Sequence, residues 1–223
     1  MTDALLDRIE MLPEGQATHS VIWLHGLGAD GNDFASLQPM LGLAHLPVRW
    51  IFPHAPLQAV TVNGGLRMPA WYDILALDFD RREDERGVLE THEAVSKLVT
   101  HEREQGIPPE RIVLAGFSQG GAIALHLGLR YPERLGGILA LSTYMLRRDT
   151  LATEAHAANR ATPIFQAHGN QDPMIPMARG TAARDQLTEL GYAVQWHEYP
   201  MQHQVCPDEI EHIAAWFRPI LGG

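Results

Sequence analysis

Ser118 stands in the run "AGFSQGGA", residues 115–122, which surrounds one hydroxyl with small residues. Gly116 lies two positions before the serine and Gly120 two positions after it. This spacing matches G-x-S-x-G, in which a serine at a sharp strand-to-helix turn acts as a nucleophile. Side chains at the two glycine positions would collide in such a turn, so the pattern predicts a strained nucleophilic serine at Ser118. The alternative is a Gly-rich turn that only eases helix–strand packing.

A serine nucleophile needs a histidine that takes its proton and usually an acid that orients the histidine. In proteins with this serine turn, the partners follow in the chain order Ser, Asp or Glu, His. The acidic candidates after Ser118 are Asp149, Asp172, Asp185 and Asp208, and the basic candidates are His126, His156, His168, His197, His203 and His212.

Asp172 and His203 are the best placed of these candidates. Asp172 lies in "HGNQDPMIP", a Gly- and Pro-containing loop that follows a predicted strand, although an aspartate before Pro173 can also simply cap a turn. His203 lies in the loop between the last predicted strand and the last predicted helix. Histidines inside predicted helices or strands are expected to be structural or surface residues. We therefore predict a catalytic triad of Ser118, Asp172 and His203.

A second Gly-rich segment, "VIWLHGLGADGNDF" at residues 21–34, passes from a predicted strand into a loop. It lacks the Lys-Ser/Thr pair of a phosphate-binding loop. Its His-Gly start instead resembles the loop that supplies an oxyanion donor in serine hydrolases. We predict that the backbone N–H groups of Leu27 and Gln119 bind the oxyanion, aided by the dipole of the helix that begins near Gln119. His25 precedes the serine and is expected to shape this loop.

Short apolar runs alternate with helical segments along the chain. Predicted buried strands cover residues 21–24, 48–52, 112–115, 138–141 and 163–167, and a more alternating strand near an edge covers residues 193–199. Predicted helices lie at residues 88–105, 119–130, 183–190 and 207–217. The near-continuous apolarity of the strands predicts a doubly wound, mainly parallel sheet with helices on both faces, in a single α/β domain over residues 1–223. Ligands of such sheets bind at the carboxyl ends of the strands, where the predicted site residues lie.

The composition excludes several other function classes. A formal charge of −10 argues against nucleic acid or an anionic membrane surface as a partner, and the basic pairs at 81–82 and 147–148 are short and close to acids. The first residues lack the basic and apolar regions of a signal peptide, and no run approaches the roughly 18 apolar residues of a membrane span, so no membrane insertion is expected. Cys206 is the only cysteine, which excludes an intrachain disulfide and a Cys-rich zinc site. We expect a cytoplasmic protein without metal or cofactor.

Several motifs together resemble one known family. The segments "LHGLGADG", "GGLRMPAWYDI", "GFSQGGAIAL", "LSTY", "HGNQDPMIP" and "VCPDEI" are similar, in this order, to the phospholipase/carboxylesterase family, which contains bacterial carboxylesterases and acyl-protein thioesterases. The resemblance extends from about residue 21 to 217. It implies an α/β-hydrolase fold without a large cap domain, and the triad and oxyanion donors already named.

The resemblance also carries implications of its own. It implies that Trp71 and Met174 wall an acyl groove, although both side chains could equally be ordinary core residues. It implies a possible homodimer. The chain departs from the family at Gln202, because the family usually has glycine directly before its catalytic histidine. This departure places the local turn, more than the histidine itself, in question.

The function predicted from these residues is that of a serine carboxylesterase, which hydrolyses short- to medium-chain carboxylic esters through an acyl-enzyme intermediate. Apolar residues near the site, namely Leu57, Met68, Trp71 and Met174, favour such acyl chains. The alternatives are an acyl-protein thioesterase or a lysophospholipase, so that the substrate is either a small ester or an acylated molecule. An alternative of another class is a non-catalytic binding protein with a hydrolase fold. A thiol nucleophile is disfavoured, since Cys206 lies outside the serine turn.

Overall fold

A seven-stranded sheet forms the centre of the molecule in a computed structural model that describes residues 4–76 and 83–222. Its strands, together with those of a separate hairpin, are β1 (Arg8–Met11), β2 (His19–Leu24), β3 (Val48–Pro53), β4 (Leu57–Val60), β5 (Leu66–Pro69), β6 (Ile112–Phe117), β7 (Gly137–Leu141), β8 (Ile164–Gly169) and β9 (Val194–Tyr199). The α-helices are α1 (Asn32–Leu37), α2 (Glu85–Glu104), α3 (Gln119–Arg130), α4 (Leu151–Glu154), α5 (Met177–Glu189) and α6 (Pro207–Ile220). Short 3₁₀ turns cover Gln38–Leu41, Thr61–Asn63, Pro109–Arg111 and Ala157–Asn159.

The strand order in the sheet is β1-β3-β2-β6-β7-β8-β9. Every neighbouring pair is parallel except β1 and β3, which pair antiparallel. The predicted mainly parallel sheet is therefore confirmed, while the antiparallel edge strand β1 and the β4–β5 hairpin were not predicted. Among the described residues no separate cap domain is inserted between these elements. The basic pair at residues 81–82 lies outside the described residues.

Helices cover both faces of the sheet, as the apolar strands predicted. Alternate residues of β2 point to opposite faces, so that Val21 and Trp23 pack on the side of α1 and α6, whereas Ile22 and Leu24 pack on the side of α2 and α3. Helix α5 packs on the same side as α3. Within the described ranges, no helix combines the length and the apolar character needed to cross a membrane.

An ion-pair group around the buried Glu102 joins the amino ends of β2 and β3 to α2. The Arg49 Nε atom lies 3.0 Å from Oε2 of the buried Glu102, and the Ser20 hydroxyl donates to the same oxygen. Arg49 Nη2 also lies 2.9 Å from Oε2 of Glu10 on β1. Partner charges at such short distances offset the cost of burying Glu102. The opposite, carboxyl ends of the strands remain for the loops that carry the predicted site.

Candidate active site

Ser118 occupies a sharp turn between β6 and α3. Its backbone has φ 54° and ψ −120°, a conformation that residues with a Cβ rarely adopt. Two hydrogen bonds hold the turn: the Ser118 N–H donates to the Leu141 carbonyl at 2.8 Å, and the Thr143 hydroxyl donates to the Ser118 carbonyl at 2.6 Å. Both bonds anchor the turn to the residues that end β7 or follow it. The surrounding structure therefore imposes this backbone conformation.

The two glycines of G-x-S-x-G are required by close backbone contacts. A Cβ added to Gly116 would lie 2.3 Å from the carbonyl carbon of Gly120. A Cβ added to Gly120 would lie 2.3 Å from the carbonyl oxygen of Leu24, at the end of β2. The glycines thus permit both the strained serine turn and close helix–strand packing. The two interpretations of the G-x-S-x-G pattern are therefore not exclusive.

The structure brings Ser118, Asp172 and His203 together at the carboxyl ends of the strands. His203 Nε2 lies 2.9 Å from Ser118 Oγ, and His203 Nδ1 lies 2.6 Å from Asp172 Oδ2. Asp172 Oδ1 accepts two further hydrogen bonds, from the N–H groups of Met174 at 2.8 Å and Ile175 at 2.9 Å. These bonds fix the carboxylate, so its other oxygen faces the imidazole. With Nδ1–H donating to Asp172, Nε2 is free to accept the serine proton.

The loop that carries His203 accommodates Gln202 without a glycine. The non-glycine residues with positive φ in the described ranges are Ser118, Ser142 and Arg147, so Gln202 does not adopt the left-handed conformation that favours glycine. The close approach is made instead at Gly169, where an added Cβ would lie 2.4 Å from the Gln202 carbonyl oxygen. The departure from the family pattern is therefore compatible with the position of His203.

The loop after β2 lies beside the serine. A Cβ added to Gly26 would lie 3.5 Å from the Ser118 Cβ. His25 shapes this loop: its Nε2 accepts from the Ala55 N–H at 3.0 Å, and its Nδ1 donates to the Gly26 carbonyl at 2.7 Å. Burial lowers the pKa of His25, which favours this neutral form. Because carbonyl and N–H point in opposite directions across a trans peptide, this bond also sets the direction of the Leu27 N–H.

The two predicted oxyanion donors are unpaired among the residues that the structure describes. The N–H groups of Leu27 and Gln119 have no hydrogen-bond partner among residues 4–76 and 83–222. Gln119 is the first residue of α3, where unpaired N–H groups and the helix dipole favour an anion.

Trp71 and Met174 occupy different environments. Trp71 is only 1 % exposed and lies behind the loop after β2, where its indole Nε1–H donates to the His25 carbonyl at 2.8 Å. Met174 is 66 % exposed and follows Asp172 in the same loop. The predicted role of both residues as groove walls stays a prediction.

The structure also shows residues that support the site and that sequence reasoning missed. His168 is buried and donates from Nε2 to the Ile175 carbonyl at 2.8 Å. This bond holds the loop that carries Asp172. Burial lowers the pKa of His168. Thr143 holds the serine turn, and the Gln119 side chain binds the backbone at Trp71 and Tyr72. These residues stood in the motifs "HGNQDPMIP", "LSTY" and "GFSQGG", but only their long-range contacts reveal their roles.

His126, one of the other candidate bases, is buried between helices. Its ring centroid lies 5.3 Å from that of His92, and neither ring nitrogen of His126 has a hydrogen-bond partner in the described part of the chain. Burial, assisted by the charge of Arg130, lowers the pKa of His126 to about 2. This side chain is therefore neutral in the folded protein. The described residues also contain no group of three or more His, Cys, Asp or Glu side chains that could hold a metal ion.

Comparison with known proteins gives consistent matches over nearly the whole chain. A family model described as phospholipase/carboxylesterase matches residues 9–220. Acyl-protein thioesterase 1 of Gibberella zeae is 41 % identical over 213 residues, 91 % of each chain, and that of Neurospora crassa is 42 % identical over 206 residues, 88 % of this chain and 84 % of the relative. Among solved structures, Arabidopsis thaliana SOBER1 superposes with a TM-score of 0.84 at 31 % identity, covering 91 % of this chain and 99 % of that one. Acyl-protein thioesterase 2 of Zea mays superposes with a TM-score of 0.82 at 26 % identity, covering 97 % and 99 %.

Proposed function

The chain belongs to the phospholipase/carboxylesterase family and is a serine hydrolase of ester or thioester bonds, and on this premise we propose that it removes acyl groups from thioesters of proteins. We assign the chemistry to Ser118, Asp172 and His203. The observation that carries this assignment is the continuous line of hydrogen bonds from Asp172 through His203 to Ser118, at 2.6 Å and 2.9 Å.

In the first half of the reaction, His203 Nε2 takes the proton of the Ser118 hydroxyl while Oγ attacks the thioester carbonyl carbon. The carbonyl π electrons move to the oxygen, which becomes an oxyanion. Asp172 stabilises the imidazolium that forms. When the tetrahedral intermediate collapses, the C–S bond breaks, and the imidazolium gives its proton to the departing thiolate. An acyl group remains on Ser118.

In the second half, His203 takes a proton from water while the water oxygen attacks the acyl-enzyme carbonyl. Collapse of this intermediate breaks the bond to Ser118 Oγ, which recovers its proton from His203. The product is the free carboxylic acid. The N–H groups of Leu27 and Gln119 bind the oxyanion in both halves, and the loss of one such donor typically costs about 3 kcal/mol of transition-state stabilisation.

We prefer thioesters of proteins as the substrate class to the small carboxylic esters predicted from the sequence, because the two relatives described above are acyl-protein thioesterases. Exposed apolar side chains near the site also suit a long acyl chain. Leu57 and Leu66 are exposed on the β4–β5 hairpin, and this hairpin joins the loop after β2 through a hydrogen bond from the Gly28 N–H to the Pro69 carbonyl at 2.9 Å. The homodimer and the cytoplasmic location remain predictions.

A fluorophosphonate probe tests the catalytic assignment directly. Intact mass measurement should show one adduct on the wild-type protein and none on Ser118→Ala. Ser142→Ala is the matched control, because Ser142 also has positive φ at a strand end and is buried. This control should take the adduct like the wild type. An unlabelled wild type would support the non-catalytic binding protein, and a labelled Ser118→Ala would refute the assignment of the nucleophile.

A pair of acyl peptides tests the substrate class. Two peptides of the same sequence carry the same acyl group, either as a thioester on cysteine or as an ester on serine, in a series from butanoyl to palmitoyl. We expect the larger kcat/KM on the thioesters, with hydrolysis maintained to palmitoyl. Short esters of small alcohols and lysophosphatidylcholine are assayed beside the peptides. A preference for the short esters would restore the carboxylesterase prediction, and a preference for lysophosphatidylcholine would indicate a lysophospholipase.

A further inference from the structure

Trp71 connects the two backbone segments that carry the proposed oxyanion donors. Its indole Nε1–H donates to the His25 carbonyl at 2.8 Å, and its main-chain N–H donates to the Gln119 side-chain Oε1 at 2.8 Å. We propose, on the basis of the function proposed above, that Trp71 is a positioning residue that holds the Leu27 and Gln119 N–H groups at a fixed separation.

The first connection controls the loop after β2. The His25 carbonyl lies two residues before Leu27, so a rotation of this segment would redirect the Leu27 N–H. The same carbonyl faces α3 closely, because a Cβ added to Gly120 would lie 2.5 Å from it. The indole N–H therefore holds this carbonyl where it also contacts the helix start. Loss of the indole bond would leave a buried carbonyl that has to turn to find another donor.

The second connection controls the start of α3. The Gln119 amide is buried and is used at both ends: Oε1 accepts from the Trp71 N–H, and Nε2 donates to the Tyr72 carbonyl at 2.7 Å. Two bonds to one short segment fix both the position and the rotation of the side chain. Gln119 is therefore held by the Trp71–Tyr72 segment, and the Trp71 indole of the same segment holds the loop that carries Leu27.

Trp71 is itself held firmly. The Thr91 hydroxyl on α2 donates to the Trp71 carbonyl, and the indole packs against the His25 imidazole with ring centroids 5.1 Å apart. Because only 1 % of Trp71 is exposed, we place its effect on the transition state rather than on substrate binding. A positioning role therefore predicts a fall in kcat, whereas a groove-wall role predicts a rise in KM.

The matched pair of variants is Trp71→Phe and Trp23→Phe. Trp23 is also 1 % exposed, but its indole Nε1 has no hydrogen-bond partner among the described residues, and it packs on the other face of the sheet. The same substitution therefore removes similar volume at both sites and a hydrogen bond at only one. Gln119→Met is the second variant, because it removes both amide bonds and keeps the main-chain N–H.

The measurements are kcat and KM for one acyl substrate, and inhibition constants for a trifluoromethyl ketone and for the neutral primary alcohol with the same alkyl chain. The ketone forms a tetrahedral adduct with an oxyanion, whereas the alcohol carries no negative oxygen and reports only on binding of the alkyl chain. We expect Trp71→Phe and Gln119→Met to lower kcat about 10- to 100-fold and to weaken the ketone by a similar factor. KM and the inhibition constant of the alcohol should change less than about threefold, and Trp23→Phe should change kcat less than about threefold.

The other possible outcomes contradict either the positioning role of Trp71 or the proposed function. Equal kcat in Trp71→Phe and Trp23→Phe would overturn the positioning role, and so would a loss confined to KM and to binding of the alcohol. If Trp71→Phe fails to fold by circular dichroism, Gln119→Met decides by the same criteria. A wild-type protein that neither hydrolyses the substrate nor takes the fluorophosphonate probe would overturn the proposed function and the positioning role with it, whereas an active wild type isolates the test of Trp71.

Discussion

Replacing Asp172 by asparagine should disable the site while leaving its shape intact. In the wild type, Oδ1 accepts from two backbone N–H groups at 2.8 Å and 2.9 Å, and Oδ2 faces His203 Nδ1 at 2.6 Å. Asparagine keeps Oδ1 for the backbone, so its NH₂ group must take the place of Oδ2. Two donors would then face each other at 2.6 Å. The imidazole relieves this conflict by moving its proton from Nδ1 to Nε2.

The shifted proton points at Ser118, the proposed nucleophile. Nε2 lies 2.9 Å from Ser118 Oγ and, once protonated, is unable to accept the serine proton. Loss of the base by this route lowers kcat about 10⁴-fold in a serine hydrolase of another fold. At about 1.4 kcal/mol for each factor of ten, this corresponds to roughly 5 kcal/mol of transition-state stabilisation. KM should change little, since no group that we assign to substrate binding is altered.

Steady-state hydrolysis of a chromogenic ester, with thermal unfolding in parallel, checks this expectation. Asp185→Asn is the matched control, because Asp185 is an exposed residue of α5 that pairs with its neighbour Arg184. The control should keep wild-type kcat. If Asp172→Asn unfolds at the wild-type temperature and retains more than about a tenth of wild-type kcat, His203 does not depend on this carboxylate and the tautomer argument is wrong.

Three further predictions concern the surroundings of the site. Gly116→Ala places a Cβ 2.3 Å from a backbone carbonyl of α3 and should lower the free energy of unfolding in urea by at least about 2 kcal/mol. The control Gly15→Ala, whose Cβ would have no atom within 4 Å, should lower it by less than about 0.5 kcal/mol. Similar values for the two variants would contradict the contact argument. The pKa of His126 is about 2 in the folded protein against an ordinary 6.5, so below pH 6.5 the unfolded chain binds a proton that the folded one refuses and stability falls. His126→Leu should reduce this decline by up to about 1.4 kcal/mol per pH unit, and an unchanged slope would assign the decline to other groups. Thr143→Val removes the 2.6 Å bond to the Ser118 carbonyl and should cost about 1 kcal/mol in thermal unfolding, with a several-fold lower kcat; unchanged values would show that the turn does not need this bond.

The sequence predicted most of the sheet because its parallel strands are buried on both faces and therefore read as apolar runs. Strands β2, β3, β6, β7, β8 and β9 all overlap predicted runs, and helices α2, α3, α5 and α6 overlap predicted helical segments. The meeting of Ser118, Asp172 and His203 was foreseeable for a related reason. All three follow strands of one parallel sheet, and the carboxyl ends of such strands share one edge.

The features that escaped prediction depend on contacts between distant segments. Strand β1 is an edge strand with half-buried residues, so its composition carries little apolar signal. The β4–β5 hairpin lies outside the main sheet and exposes Leu57 and Leu66. The Gln119 side chain binds the backbone 48 residues away at Trp71, a pairing that local patterns do not encode. Secondary-structure propensity and residue spacing report on residues that are close along the chain, whereas these contacts join residues that are far apart in sequence.

The contacts of the buried Glu102 carboxylate with Arg49 and Ser20 have a consequence for how this enzyme can be altered. They join β2, β3 and α2 at the end of the sheet opposite the loops that carry the proposed site, so a substitution in those loops leaves these contacts in place. Protein engineers can therefore randomise the β4–β5 hairpin, or the exposed position at Met174, to obtain new acyl preferences while the scaffold keeps its tolerance to change.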